Sequence, residues 1–273
     1  IQYRMHPENL PCLTAAAIDC CVLANNHVLD WSYPGLEETL ASLAQAGLAC
    51  VGAGQDLEQA KAPVSLALPG HGRVLVFSCG LQSSGIPASW AATATRPGVN
   101  LLPDLSVRTV RDIAAAVDAR RQAGDLVVIS LHWGGNWGYE IPSAHRRFAR
   151  ALIDAAAADV VHGHSSHHPV GIEVYRNRPI LYGCGDLIDD YEGISGHAGY
   201  RHDLALLYLV TLDLATGELQ RLEMVPLQRN RFSLIHASEQ DRNWLAQVMD
   251  RECRKLQARV AGSANDALLL QWQ

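Results

Sequence analysis

Four of the chain's twelve histidines fall within the run HGHSSHH, His162 to His168. Imidazole is a borderline base and the commonest metal-ligating side chain, so this density points to metal binding or proton transfer. Gly163 permits close backbone approach and Ser165 and Ser166 add little bulk, so His164 and His167 on a tight turn could both face one metal ion. His162 belongs to the strand-like part and His168 precedes Pro169, so neither need be a ligand. The competing reading is a solvated histidine-rich loop.

Two further stretches carry suitable groups. In ANNHVLD, Ala24 to Asp30, an asparagine carbonyl can bind a metal without adding charge, while the adjacent His27 can exchange a proton with a reacting group. Asp30, three residues on, could fix that imidazole's tautomer; the alternative is a turn whose Asn and Asp bond their own backbone. HWGGNWGYE opens on His132 and adds Trp133, Trp137, Tyr139 and Glu140, which could frame a substrate or cap a core. A lone strand-end histidine is more often structural, so His132 gains weight only from its company.

Each histidine needs an element that delivers it. Ile18 to Ala24 reads as a short buried strand running into ANNH, and LVVISLH as a buried strand ending at His132. ADVVHGH is a third, following an alanine-rich helix from Ser143 to Ala157. Three strands thus carry polar groups at their carboxyl ends, where α/β proteins keep their chemistry. Leu36, Leu40 and Leu43, with Pro34 before and Gly47 after, predict a helix over 35–46, and Val110, Ile113 and Val117 predict another over 106–123. Arg73 to Ser78 is an apolar run, and Gly80 to Pro103 reads as a long functional loop or lid. GIEVY and RPILYGCGD are two short strands joined at an Arg/Asn turn. LALLYLVTLDLATGELQRLEMVPL is a hairpin turning at Thr216 and Gly217, and 239–257 is a charged helix. Without internal repeats or a clear linker, one mixed α/β domain over 1–273 is expected.

Composition narrows the class. With 48% hydrophobic and 18% charged residues and a net charge of -6, the chain lacks the basic excess of a nucleic-acid binder, and none is expected as partner. Seven cysteines, an odd number with Cys20 and Cys21 adjacent in an apolar run, suit a reduced, cytoplasmic protein. No stretch reaches the roughly 20 apolar residues of a membrane span. The chain begins with Ile1, which leaves an anchored or exported longer form, membrane association and oligomeric state open.

With ANNHVLD, HWGG and GHSSH in this order, the chain resembles the CapA family, the poly-gamma-glutamate capsule synthesis group of the calcineurin-like metallophosphoesterase superfamily. The resemblance is strongest over residues 5–195, with 200–273 as a C-terminal hairpin and helix. It implies a four-layer α-β-β-α sandwich holding two divalent metal ions, with Mn, Zn, Fe and Mg not distinguished. Carried over by motif, Asn26, His132, His164 and His167 are metal ligands and His27 is the catalytic acid, with Asp30 beside it. Glu173, Tyr175 and GCGDL match a Glu-x-Tyr and Leu-Gly-Asn-Phe stretch loosely. The implied activity is hydrolysis at phosphorus or an acyl centre of an anionic small molecule, peptide or polyglutamate-like substrate. An epimerase on the same fold and a non-catalytic polymer-handling module are the alternatives.

Three departures stand out. No Gly-Asp or Asn-Leu-Glu segment precedes ANNH, so the sandwich is expected to lack its first strands and their acidic ligands. The histidine turn is GHxxH where the superfamily has GHxH. Gly185, Asp186 and Leu187 replace Gly-Asn-Phe and are followed by Asp189, Asp190 and Glu192, so Asp186 is either a compensating ligand or part of a solvated acidic turn.

Overall fold

Apolar runs become strands and amphipathic runs become helices in the computed structural model, which describes residues 2–189, 197–231, 233–263 and 265–273. The architecture is mixed α/β, with parallel and antiparallel pairings. Contacts divide the chain into two units, one up to residue 134 together with 154–158, the other of 135–153 and 159–273. Among the described residues no helix is long and apolar enough to cross a membrane.

The first unit holds α1 (Pro11–Ala15), β1 (Cys20–Val22), α2 (Ser32–Gln45), β2 (Ala49–Val51), β3 (Ala53–Gly54), α3 (Leu57–Lys61) and β4 (Val64–Leu68). β5 (Gly72–Gly80), β6 (Gly98–Val99), α4 (Val107–Asp118) and β7 (Leu126–His132) complete it. β1 and β2 are parallel with Cys21 opposite Cys50, and Leu36 and Leu43 of α2 are buried in a cluster with Leu23, Leu29 and Ile86. α2 begins at Ser32, three residues before the predicted start, because Pro34 is tolerated in a helix's first turn where no intrahelical N–H is required.

β5 is antiparallel to β4 and parallel to β7, with Gly80 opposite His132. Val127, Ile129 and Leu131 on one face and Leu126, Ser130 and His132 on the other are buried, as expected of a strand covered on both faces. The segment read as a long loop, Gly80 to Pro103, is fastened along its length. β6 pairs β3, Ile86 and Asn100 are buried, and the Asn100 carboxamide donates to the Ser78 carbonyl at 2.9 Å.

Where β7 begins, Asp125 is buried and accepts from Arg73 Nε at 3.0 Å and from the Gln122 N–H at 2.8 Å. The Arg73 hydrogen bonds, with a smaller contribution from the Gln122 N–H, hold the Asp125 carboxyl below the usual carboxylate range. A depressed folded-state pKa stabilises fully above the unfolded value of about 3.9 and is lost as pH falls through the folded value. Asp125→Asn should therefore lower the melting temperature at pH 7, and the gap from wild type should shrink by pH 3. An unchanged gap in melts at the two pH values would refute this.

The second unit holds α5 (Ser143–Asp154), β8 (Val160–His164), β9 (Ile172–Tyr175), β10 (Arg178–Leu181), β11 (Leu204–Leu212) and β12 (Leu219–Asn230). β13 (Ser233–His236), α6 (Glu239–Arg254), β14 (Ala258–Gly262) and β15 (Leu268–Trp272) follow. β10 runs parallel to β8 and antiparallel to β9. The β9–β10 turn places Arg176 and Asn177 at positive φ, the conformation of two-residue hairpins. β11 and β12 form the predicted hairpin, with Gly217 at φ 68°. They lie in a sheet of order β11-β12-β15-β14, with β13 also on β12. α6 is capped by Ser238, whose hydroxyl accepts the Asp241 N–H at 3.2 Å.

Candidate functional site

In the first unit β1 leads straight into the ANNHVLD turn. Its shape comes from local bonds: the His27 N–H donates to Asn25 Oδ1 at 2.9 Å and the Asp30 N–H to the His27 carbonyl at 3.0 Å. The turn reading thus holds for Asn25, whose side chain bonds the backbone two residues on, while Asp30 turns to His27 and Tyr3. His27 Nδ1 lies 2.8 Å from Asp30 Oδ2. Asp30, with 8% of its side chain exposed against 38% for His27, also accepts the Tyr3 N–H at 2.8 Å. The Tyr3 ring meets the His27 imidazole edge-on at 4.6 Å. With Nδ1 directed at the carboxylate, Nε2 is the ring nitrogen left to face another group.

β7 delivers His132 to the same turn. Its Nε2 is 3.1 Å from Asn26 Oδ1, while its carbonyl accepts from the Leu81 N–H and the Ser84 hydroxyl, both at 3.0 Å. Gly85, at φ 86°, stands where a Cβ would come within 3.3 Å of Asn26 Nδ2, so the fastened loop closes against the Asn26 carboxamide. Asn26, His27, Asp30 and His132 are thus gathered at one place.

In the second unit β8 ends at His164, whose ring stacks on His162 with centroids 5.4 Å apart. Burial pushes the His162 imidazole down to about 4, which suits a neutral residue of the strand. His167 Nδ1 is 2.8 Å from Asp186 Oδ2, and Arg229 lies 3.5 Å from Asp186 and 2.9 Å from Asp189. Asp186 is thus an ion-paired, partly covered carboxylate that holds His167 by Nδ1, in the way carboxylates orient metal-binding imidazoles. Asp190 and Glu192, read with it as an acidic turn, lie outside the described residues.

His168 is structural. It is fully buried, with Nδ1 3.0 Å from the Pro169 carbonyl and Nε2 accepting the Gly138 N–H at 3.1 Å. Both ring nitrogens are committed, and burial lowers its pKa. The aromatic run divides its roles: Trp133 is buried in the first unit. Trp137 stacks on His197 at 4.1 Å and Tyr139 meets His168 edge-on at 4.7 Å, so these two wall the histidine turn. Arg229, unremarked in the sequence, emits no local signal because its partners lie about 40 residues away.

Residues 1–191 match the model of the bacterial capsule synthesis protein PGA_cap family. The chain belongs to the PGA_cap family. A probable polyglutamine synthesis accessory protein of Mycobacterium tuberculosis (strain H37Rv) is 49% identical over 267 residues, 97% of this chain and 70% of that protein. The capsule biosynthesis protein CapA of Bacillus anthracis is 29% identical over 184 residues, covering 67% of this chain and 43% of that protein. The PGA biosynthesis protein CapA of Bacillus subtilis is 32% identical over 169 residues, 61% of this chain and 41% of that protein. The resemblance carried by ANNHVLD, HWGG and GHSSH is thereby borne out at the level of the family.

The residues of this PGA_cap chain fit a metal in part. Two ligands at right angles on an ion about 2.1 Å from each stand about 3 Å apart, the spacing of His132 Nε2 and Asn26 Oδ1. Yet among the described residues no three His, Cys, Asp or Glu side chains gather as a ready cage. The Asn26–His132 pair suits two ligands of a centre rather than a whole one.

Proposed function

We propose that this PGA_cap chain carries the metal-binding and acid–base residues of a phosphoesterase-type hydrolase serving polyglutamate or polyglutamine capsule-polymer synthesis. Its fold in this reading is a four-layer α-β-β-α metallophosphoesterase sandwich. The observation that carries the reading is the meeting of Asn26 and His132 at 3.1 Å, next to His27 and its partner Asp30. Asn26 and His132 in the first unit and His164 and His167 in the second are the proposed ligands of two divalent ions. When bound, such ions supply Lewis acidity and a nucleophilic water at neutral pH.

The chain's own residues do the rest. His27 presents Nε2 to the leaving group and gives it a proton, while Asp30, itself held by the Tyr3 N–H, acts through His27 by fixing its orientation. Carboxamide and imidazole donors add no negative charge, so a cationic centre stays attractive to an anionic peptide or glutamate-rich chain. The names of the mycobacterial and Bacillus relatives support that substrate class.

Equilibrium dialysis against Mn2+ or Zn2+, followed by elemental analysis, tests the metal reading. Wild type should retain up to two ions, and His132→Ala and His164→Ala should each lower affinity by about tenfold or more. Two variants that load like wild type would defeat it. The lack of a ready three-residue cage among the described residues favours a second reading, a non-catalytic polymer-handling module. Its signature is metal-independent binding of a glutamate oligomer without turnover.

A further inference from the structure

In the second unit α6 presents two faces. Leu245, Val248, Met249 and Cys253 are buried, while Gln240, Asn243 and Gln247 are exposed and Trp244 is half-buried. Positions 240, 243, 244 and 247 have the i, i+3, i+4, i+7 spacing of one helix stripe. With Arg201 and Glu239 they line a shallow, open cavity of about 500 Å³, comparable in volume with small-ligand sites but more exposed to solvent than most.

Two features set this stripe apart from an ordinary solvated helix face. An exposed helix surface normally carries charges, and asparagine is a poor residue for a helix interior, yet the stripe bears three carboxamides around an indole. None of those carboxamides has a hydrogen bond to another described residue. The cavity's one cation is also already neutralised. Arg201 donates to both Asp203 oxygens at 2.8 Å and to Asp241 at 2.7 Å, with its guanidinium 5.8 Å from the Trp244 ring centre. Glu239 leaves the rim slightly negative, so an anionic ligand meets no free positive charge.

An aromatic ring flanked by amide donors and acceptors, with no net positive charge, matches a ligand with an apolar face and a rim of neutral hydroxyls. We propose that the α6 cavity is a saccharide-binding site that takes a neutral pyranose unit against Trp244, with Gln240, Asn243 and Gln247 hydrogen-bonding its hydroxyl or acetamido groups. The site is built wholly from the second unit and does not depend on the proposed hydrolase.

The test is a titration of the full chain with tri-N-acetylchitotriose, maltotriose and cellotriose, followed by the indole N–H resonances of the six tryptophans. The Trp244 resonance is assigned by its loss in Trp244→Phe. At least one sugar should shift it saturably. The surface double variant Asn243→Ala/Gln247→Ala should bind about tenfold more weakly at an unchanged melting temperature. Tri-γ-glutamate should bind at least about tenfold more weakly than the best sugar. No response to any of the three sugars, wild-type affinity in the double variant, or equal binding of tri-γ-glutamate would each overturn the proposal.

Discussion

Glu173→Ala is expected to destabilise the second unit by about 3 kcal/mol. The carboxylate sits on β9 with 4% of its side chain exposed. It accepts from Arg150 Nε at 2.9 Å and from the Tyr182 hydroxyl at 2.6 Å, with Arg146 3.6 Å away. Removing it takes away the Tyr182 hydroxyl's 2.6 Å bond and the carboxylate that faces two guanidiniums. Breaking a buried pair costs about 3–5 kcal/mol, and the low end applies because Arg150 and Arg146 are 40% and 36% exposed and regain water. Urea unfolding of wild type, Glu173→Ala and Glu173→Ala/Tyr182→Phe gives the comparison. The double variant should recover part of the loss, because the buried hydroxyl that bonded Glu173 is gone. A loss below about 1 kcal/mol in the single variant would show the network to be no more than a surface ion pair.

His27→Gln is expected to cut hydrolysis in the proposed reaction by about 10²–10⁴-fold, the range for loss of a general acid. The effect should depend on the leaving group, since a poor one needs the proton and a good one does not. Phenyl phosphate should therefore suffer the full loss and p-nitrophenyl phosphate far less. Asp30→Asn should follow the same pattern with a smaller loss, because an amide hydrogen facing Nδ1 favours the opposite tautomer. Both variants should retain metal in elemental analysis, since neither residue is a proposed ligand. Equal losses on the two esters would remove His27 from the acid's role.

Legibility from sequence followed the range of the interactions. β7 was readable to its last residue because an unbroken apolar run stops at His132, and the β9–β10 turn because Arg176 and Asn177 punctuate two strands. β14 and β15 escaped, since Arg259 and Gln271 interrupt short segments whose pairing is set by tertiary contact rather than by pattern. Within the site, His27 and Asp30 are neighbours and their pairing could be expected. The Asn26–His132 contact could be proposed only through the family motif, since it spans 106 residues. The bonds of His168 explain in hindsight why one histidine of the cluster is no ligand, but a carbonyl at Pro169 and an amide at Gly138 leave no mark on composition.

The parallel pairing of β5 with β7 also bears on the order of assembly. β4 and β5 meet across a tight connection, Leu68 opposite Gly72, and can zip as soon as both exist. β7 must instead be captured across about fifty residues, Val74 opposite Leu126, and parallel strands cannot be joined by a tight turn. Closing so long a loop loses chain entropy before any contact rewards it, which makes such pairings late and slow. His132 is therefore expected to reach Asn26 only after the β4–β5 hairpin has formed, so a nascent chain carries its candidate chemistry in separate pieces.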